Sequence, residues 1–361
     1  VFARTRYLTW ARRYYGRVRF DLASSGASPV PLAALGVPAP EVLDDLAGWD
    51  ALQAAIARYN NVPTTEAIAA LGTTHALWLA YASLTSAGDE VLVESPGYEP
   101  VSRIPEGMGL SVRVFERPAA ERFALDPARV ERAMTAATRV VAVTHLHNPS
   151  GVRANDEALR AVATAAASRG ASLLVDEVYA PFDALVDATG VFRGSARKLA
   201  PNIVAVGSLT KAYGLGNHRF GWVLGSPELI ERAADAITAS AGMLPLSHAH
   251  LGVRAFARIG ELADRTRSSL AGKRARVGEW VAAHGLTWSE PAEGLFGFVR
   301  VPGACDLLPT LEAAAIEHEV LVAPGSFFGV NDGFRVSWSA PRERLDEGLE
   351  RLGRVLAGLP R

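Results

Sequence analysis

Six short apolar runs, set between helical patterns from about residue 66 to 225, limit this chain more than any other feature of its sequence. They are "EVLVES" (90–95), "VRVFE" (112–116), "TRVVAVTH" (138–145), "SLLVDE" (172–177), "NIVAVGS" (202–208) and "GWVLG" (221–225). Several are apolar on successive residues rather than alternating, as expected of strands covered by helices on both faces. Strand and helix in alternation predict an α/β sheet with mostly parallel strands. Between the runs, the segment 72–84 puts Leu77, Ala80, Tyr81 and Leu84 on one helical stripe. The segment 155–170 does the same with Leu159, Val162 and Ala166, with Asn155 as N-cap and Gly170 as the stop. Beyond about residue 226 the pattern is helical for a long stretch, and a strand-and-helix segment runs from "LTWSE" to the C-terminus.

At 361 residues the chain is too long for one ordinary core. The pattern divides it into an N-terminal arm with part of a small domain (1–39), a large domain (40–245) and a small α/β C-terminal domain (246–361). Pro31, Pro38 and Pro40 punctuate the first join. A net charge of −1 argues against a nucleic-acid or membrane-surface partner, whose electrostatic footprint would be basic. No apolar run approaches the roughly 20 residues that cross a bilayer. The single cysteine, Cys305, suits a reducing cytoplasm. The first 20 residues hold six arginines and no acid, like a transit peptide, but they lack serine and are dense in Trp and Tyr. We read them as an arm packed on the protein or a partner subunit.

Of the 37 basic residues only Lys198, Lys211 and Lys273 are lysines, so a lysine where the run 202–208 ends is notable. An ammonium can lose its proton and a guanidinium cannot. Ligands of open α/β sheets bind beyond the carboxyl ends of the strands. Those ends here bring Tyr98; His147, Asn148 and Ser150; Asp176, Glu177 and Tyr179; and Ser208, Thr210 and Lys211. A phosphate site is read separately. Gly72, Thr73 and Thr74 precede a helix expected to begin near His75, whose free N–H groups favour an anion. Ser208 and Thr210 add hydroxyls, and Arg219 adds a fork of donors across a glycine-rich loop. Amine, carboxylate, aromatic plate and phosphate cradle are the set that pyridoxal 5'-phosphate requires: the amine to form a Schiff base, the acid to keep the ring nitrogen protonated.

Taken singly these residues have ordinary alternatives: a surface lysine, an N-cap at Asp176, a core aromatic at Tyr179, a turn at Tyr98. His145 and His147 are two residues apart, and no acid or cysteine completes a metal-ligand spacing. The loop "GLGNHRFG" does not spell a dinucleotide fingerprint.

In order, "GTTHAL", "ESPGY", "HNPSG", "VDEVY", "SLTKAYGLGNHR", "PGSFFG" and "FRVSWS" resemble the class I/II aminotransferases, the fold-type I pyridoxal-phosphate enzymes, over nearly the whole chain. The resemblance implies a large cofactor-binding domain with a mostly parallel mixed sheet between helices, a smaller α/β domain, and a homodimer with shared active sites. It implies that Lys211 holds the cofactor and shuttles the proton, and that Asp176 pairs with the pyridine nitrogen. Tyr179 and Asn148 would bond the ring hydroxyl and Tyr98 would stack on the ring. Thr73, Thr74, Ser208, Thr210 and Arg219 would hold the phosphate, and Arg335, assisted by Asn148, the substrate α-carboxylate. The usual tyrosine-and-glycine segment before the first helix is compressed here to "DDLAGWDAL" (44–52).

The scaffold hosts several reactions; transamination of an amino acid is the leading expectation. The opening pattern, Trp10, Tyr14 and Tyr15 followed by "DLASSG" (21–26), is similar to that of the capreomycidine synthases of antibiotic pathways. These use the same cofactor to expel a side-chain hydroxyl from an arginine derivative and close a ring. That likeness implies Ser24, Ser25 and Gly26 on the substrate side. A pyridoxal-phosphate-fold binding protein without activity is the third reading.

Overall fold

The computed structural model describes residues 6–14, 17–28, 47–183, 186–187 and 189–359. Pro31, Pro38 and Pro40 lie outside them, as does the start of the segment 44–52. The arm is a helix, α1 (Arg6–Tyr14), followed by a two-residue strand, β1 (Phe20–Asp21). Tyr7, Trp10 and Ala11 recur at helical spacing, which puts them on one stripe, and they bury it against Phe327 and Phe328. Arg6 is exposed but lays its guanidinium over the Phe327 ring at 5.7 Å. Helix α2 (Ala47–Asn60) then leads into the large sheet.

That sheet has seven strands in the order β2-β8-β7-β6-β5-β3-β4. They are β2 (Ala67–Leu71), β3 (Glu90–Ser95), β4 (Ser111–Glu116), β5 (Thr138–Thr144), β6 (Ser172–Asp176), β7 (Ile203–Ser208) and β8 (Phe220–Leu224). All run parallel except β8, which is antiparallel to β2 and β7. The mixed, mostly parallel sheet expected from the sequence is therefore present. Its unbroken apolar runs have a direct cause. On β5, Val140 and Ala142 face one core while Val141 and Val143 face another. The edge strand β4 departs from the both-faces rule, with only Phe115 buried. β2 was not among the expected strands, because "AIAAL" is alanine-rich and lacks the β-branched signal.

Helix α3 (Gly72–Leu84) leaves β2 directly, so it starts three residues before the expected His75. The helix Asp156–Ala167 is capped as predicted: Asn155 accepts from the Ala158 N–H at 2.7 Å, and Gly170 ends the turn with φ +69°.

A second core gathers Val277, Trp280, Phe334, Val336, Trp338 and Leu345 around the strands β9 (Thr287–Trp288), β10 (Phe296–Arg300), β11 (Val320–Leu321), β12 (Ala323–Pro324) and β13 (Gly333–Ser337). β1 pairs in parallel with β11, so residues 20–21 belong to this smaller unit. The expected join at 245/246 does not match the packing. Ala249, Phe256, Ile259 and Ala263 lie in the core of the large sheet, and the second core begins with Val277. Helical periodicity is the same on both sides of such a join; only the partner surface differs. Among the described residues no helix is long and apolar enough to cross a membrane.

One charged pair is wholly internal. The Arg117 Nη1 donates to Glu94 Oε2 at 2.6 Å, and Glu94 Oε1 accepts from both the N–H and the hydroxyl of Thr144. Arg117→Ala leaves a buried carboxylate without its cation. We expect it to lower the unfolding free energy by about 3–5 kcal/mol, measured by urea denaturation, whereas the double change Arg117→Met with Glu94→Leu should recover much of that loss.

Candidate active site

The carboxyl ends of β5, β6 and β7 meet in one place because the strands are parallel neighbours. Thr144 at the end of β5 lies opposite Asp176 at the end of β6, and Asp176 lies opposite Val206 of β7. Lys211 follows β7 by three residues. Its Nζ donates to Ser25 Oγ at 3.2 Å, and its carbonyl accepts from the N–H of Ala27 at 2.9 Å. The arm segment 25–27 is thus laid along the lysine loop. Gly26 touches it closely, although a Cβ there would meet Thr210 O at an ordinary 3.6 Å.

Burial disfavours the ammonium of Lys211, with Arg335 and Arg219 adding repulsion against the attraction of Tyr7 and Asp176; its pKa falls to about 8. Asp176 is 2% exposed, and burial raises its carboxyl to about 7 against the Val178 N–H and Lys211. Its Oδ1 accepts from the Val178 N–H at 3.1 Å, closing a turn ahead of the helix Ala180–Asp183 rather than capping that helix. Tyr179 is buried and lies edge-on to Phe296 at 4.8 Å; burial pushes its phenol up to about 12, against the Arg335 guanidinium and the Ser25 hydroxyl.

A hydroxyl cluster sits at the start of α3. Thr73 Oγ1 donates to Ser208 Oγ at 2.9 Å, and Ser208 Oγ bonds Thr210 Oγ1 at 2.6 Å. Arg219, in the left-handed region with φ +58°, turns its guanidinium onto Gly72. A Cβ at Gly72 would stand 2.4 Å from Arg219 Nη2, so the glycine is what lets the cation reach the helix end. Thr74, in the same turn, has an exposed side chain.

Arg335 on β13 is fully buried. Its Nη1 donates to Asn148 Oδ1 at 2.7 Å, and its Nη2 to Tyr7 Oη at 2.6 Å and Ala23 O at 3.2 Å. Asn148 is fixed in turn by its N–H on Thr144 Oγ1 at 2.9 Å. Tyr98 is half-buried, its ring centroid 6.5 Å from that of Tyr7. A cavity of about 820 Å³ opens over Ser24, Ser25, Gly26, Thr210, Lys211 and Arg219.

The structure therefore joins Lys211 to Ser25, Thr73 to Ser208 and Thr210, Arg219 to Gly72, and Asn148 to Arg335. Sequence reasoning missed Tyr7. Its signal was the aromatic spacing of Tyr7, Trp10 and Tyr14 inside an arginine-rich arm. His147 is held on both ring nitrogens, Nδ1 bonded to Ser150 Oγ and Nε2 to Pro96 O.

These donors suit a phosphorylated pyridine aldehyde. Hydroxyls, a helix N-terminus and a guanidinium match a phosphate dianion. An amine of lowered pKa matches an aldehyde carbon, and a buried carboxyl matches a ring nitrogen.

The sequence matches the family described as aminotransferase class I and II over residues 42–352, and the chain belongs to that family. It is a pyridoxal-phosphate-dependent enzyme of the fold-type I class. It is 30% identical to the capreomycidine synthase of Streptomyces vinaceus, over 96% of this chain and 92% of that one. It is 28% identical to the aspartate/prephenate aminotransferase of Thermus thermophilus, over 85% and 80%. Among solved structures, the pyridoxal-phosphate-dependent cyclase OrfR superposes with a TM-score of 0.85 and 26% identity, covering 98% of this chain and 97% of that one.

The lowered pKa of Lys211 gives a test on the protein without cofactor. Its modification by an amine reagent, followed by peptide mass spectrometry, should have a midpoint near pH 8. Asp176→Asn removes a charge that favours the ammonium and should move that midpoint lower still.

Proposed function

We propose that this protein is an aminotransferase that uses pyridoxal 5'-phosphate to convert an α-amino acid to a keto acid. The observation that carries this is the half-buried amine of Lys211, which follows the strand whose Ser208 joins the hydroxyl cluster at α3 and is repelled by the guanidinium groups of both Arg335 and Arg219. When bound, the cofactor supplies an electron sink for the pair released as a bond to Cα breaks. Thr73, Thr74, Ser208, Thr210 and Arg219 would hold its phosphate, and Asp176 would keep a proton at the ring nitrogen. Tyr179 and Asn148 would bond the ring hydroxyl and Tyr98 would cover a ring face. Arg335, steadied by Asn148, would grip the α-carboxylate bidentately and so fix which Cα bond faces Lys211. The Lys211 Nζ would take the Cα proton and return it elsewhere, with Ser25 Oγ setting its direction. A homodimer in the cytoplasm belongs to the same reading, supported by the family resemblance and the single cysteine.

A second reading, elimination and ring closure on a hydroxyarginine in antibiotic biosynthesis, is favoured by one specific observation. The family match starts at residue 42, whereas the match to capreomycidine synthase covers 96% of the 361 residues and so includes much of the arm. That arm brings Tyr7, Ala23 and Ser25 to the site.

The two reactions differ in their need for an acceptor. With amino acid alone, transamination should leave the cofactor in its amine form, and turnover should then require an added keto acid. Turnover of hydroxyarginine without any acceptor, with the cofactor spectrum restored, would instead establish cyclisation. Lys211→Ala should lower either rate by about 10²- to 10⁴-fold and prevent borohydride from attaching the cofactor to residue 211. Cofactor-supplied protein with no visible absorption band would reject both and leave the binding-protein reading.

A further inference from the structure

The arm helix reaches the carboxylate grip itself. The Tyr7 phenol lies 2.6 Å from Arg335 Nη2, its ring 5.3 Å from the guanidinium carbon. On the other nitrogen, Asn148 Oδ1 lies 2.7 Å from Nη1. The two neighbours are built alike. Each accepts a hydrogen bond from the guanidinium through oxygen, and each carries a donor of its own: the side-chain amide of Asn148 and the hydroxyl of Tyr7. A carboxylate placed against the same guanidinium would lie within reach of both donors.

Tyr7 is also held in place. Its backbone N–H donates to Glu99 Oε2 at 2.8 Å. Its ring packs against Phe328, Phe327, Trp10 and Tyr98 at centroid distances of 5.6, 6.1, 6.2 and 6.5 Å. At 3% exposure, with aromatic neighbours around it, the ring has little room to swing aside for an incoming ligand. A hydroxyl fixed beside a guanidinium acts as an additional ligand, whereas a loosely held one would act as a competitor.

We propose that Tyr7 is a substrate-binding residue, the arm's member of a three-part carboxylate clamp with Arg335 and Asn148. The inference rests on the reading of Arg335 as the α-carboxylate grip. It assigns a binding role to a segment that precedes the residues matched by the family.

The test uses the holoenzyme titrated with acetate and with propionate, with chloride at equal ionic strength as the control and binding followed by calorimetry and by the cofactor absorbance. Tyr7→Phe keeps the ring packing and removes one charge-assisted hydrogen bond. It should weaken carboxylate binding by about ten-fold, leave the affinity for methylamine unchanged, and lower the thermal midpoint by no more than the loss of one buried hydrogen bond, with the protein still folded. The KM of the amino acid turned over should rise by a similar factor while kcat moves little. Unchanged carboxylate affinity would reduce Tyr7 to a packing residue, and tighter binding would make it a competitor; either result overturns the proposal. Arg335→Lys separates the two layers. If it fails to weaken acetate binding, the reading of Arg335 is wrong. If it weakens binding while Tyr7→Phe does not, only the Tyr7 proposal fails.

Discussion

The complete burial of Arg335 organises this molecule. A guanidinium taken out of water is tolerated only where its donors find partners. Those partners come from three separate stretches of chain: Asn148 from the loop after β5, Tyr7 from the arm helix, and Ala23 from the strand-like segment that follows it. Arg335 itself stands on β13 of the smaller unit. One cation therefore ties large sheet, small sheet and arm together at the site. The tie continues inward, from Asn148 through Thr144 to Glu94 and Arg117. This buried polar chain runs from Arg335 through the neutral Asn148 and Thr144 to the ion pair of Glu94 with Arg117.

Lys211 and Asp176 show burial acting in opposite directions on amine and acid. Removal from water lowers the one and raises the other, which brings both pKa values close to neutrality from widely separated starting points. A group intended only to hold charge on the surface would gain nothing from such an environment. Proton transfer is efficient when donor and acceptor affinities lie near the ambient pH. The electrostatics of the pocket are in this sense a consequence of placing the strand ends under the arm.

Much of this was legible in the sequence because the parallel sheet leaves a repeated imprint. Runs such as "IVAV" (203–206) are apolar on successive residues when both faces are covered, and ligands bind beyond their carboxyl ends. Asn155 and Gly170 declared the helix between them by capping chemistry alone. Other features left no such mark. β2 is written in alanine, which carries no strand preference, and it forms because β8 offers it an edge. The join between the units fell later than expected because the helix Leu246–Ala257 looks the same whichever core it packs on. Tyr7 was hidden for a different reason: its partner is 328 residues away in the chain, and no local pattern encodes a contact of that separation.

The reversal of β8 has a consequence for how this corner holds together. Since β8 runs back along β7, the loop between them begins beside the lysine and closes with Arg219 leaning on the first glycine of α3. An anion lodged there would grip both ends of one short hairpin and the helix that faces it. Binding there and the stability of that corner, where β2, β8 and α3 converge, would then be linked, because a ligand that holds only the folded form stabilises it.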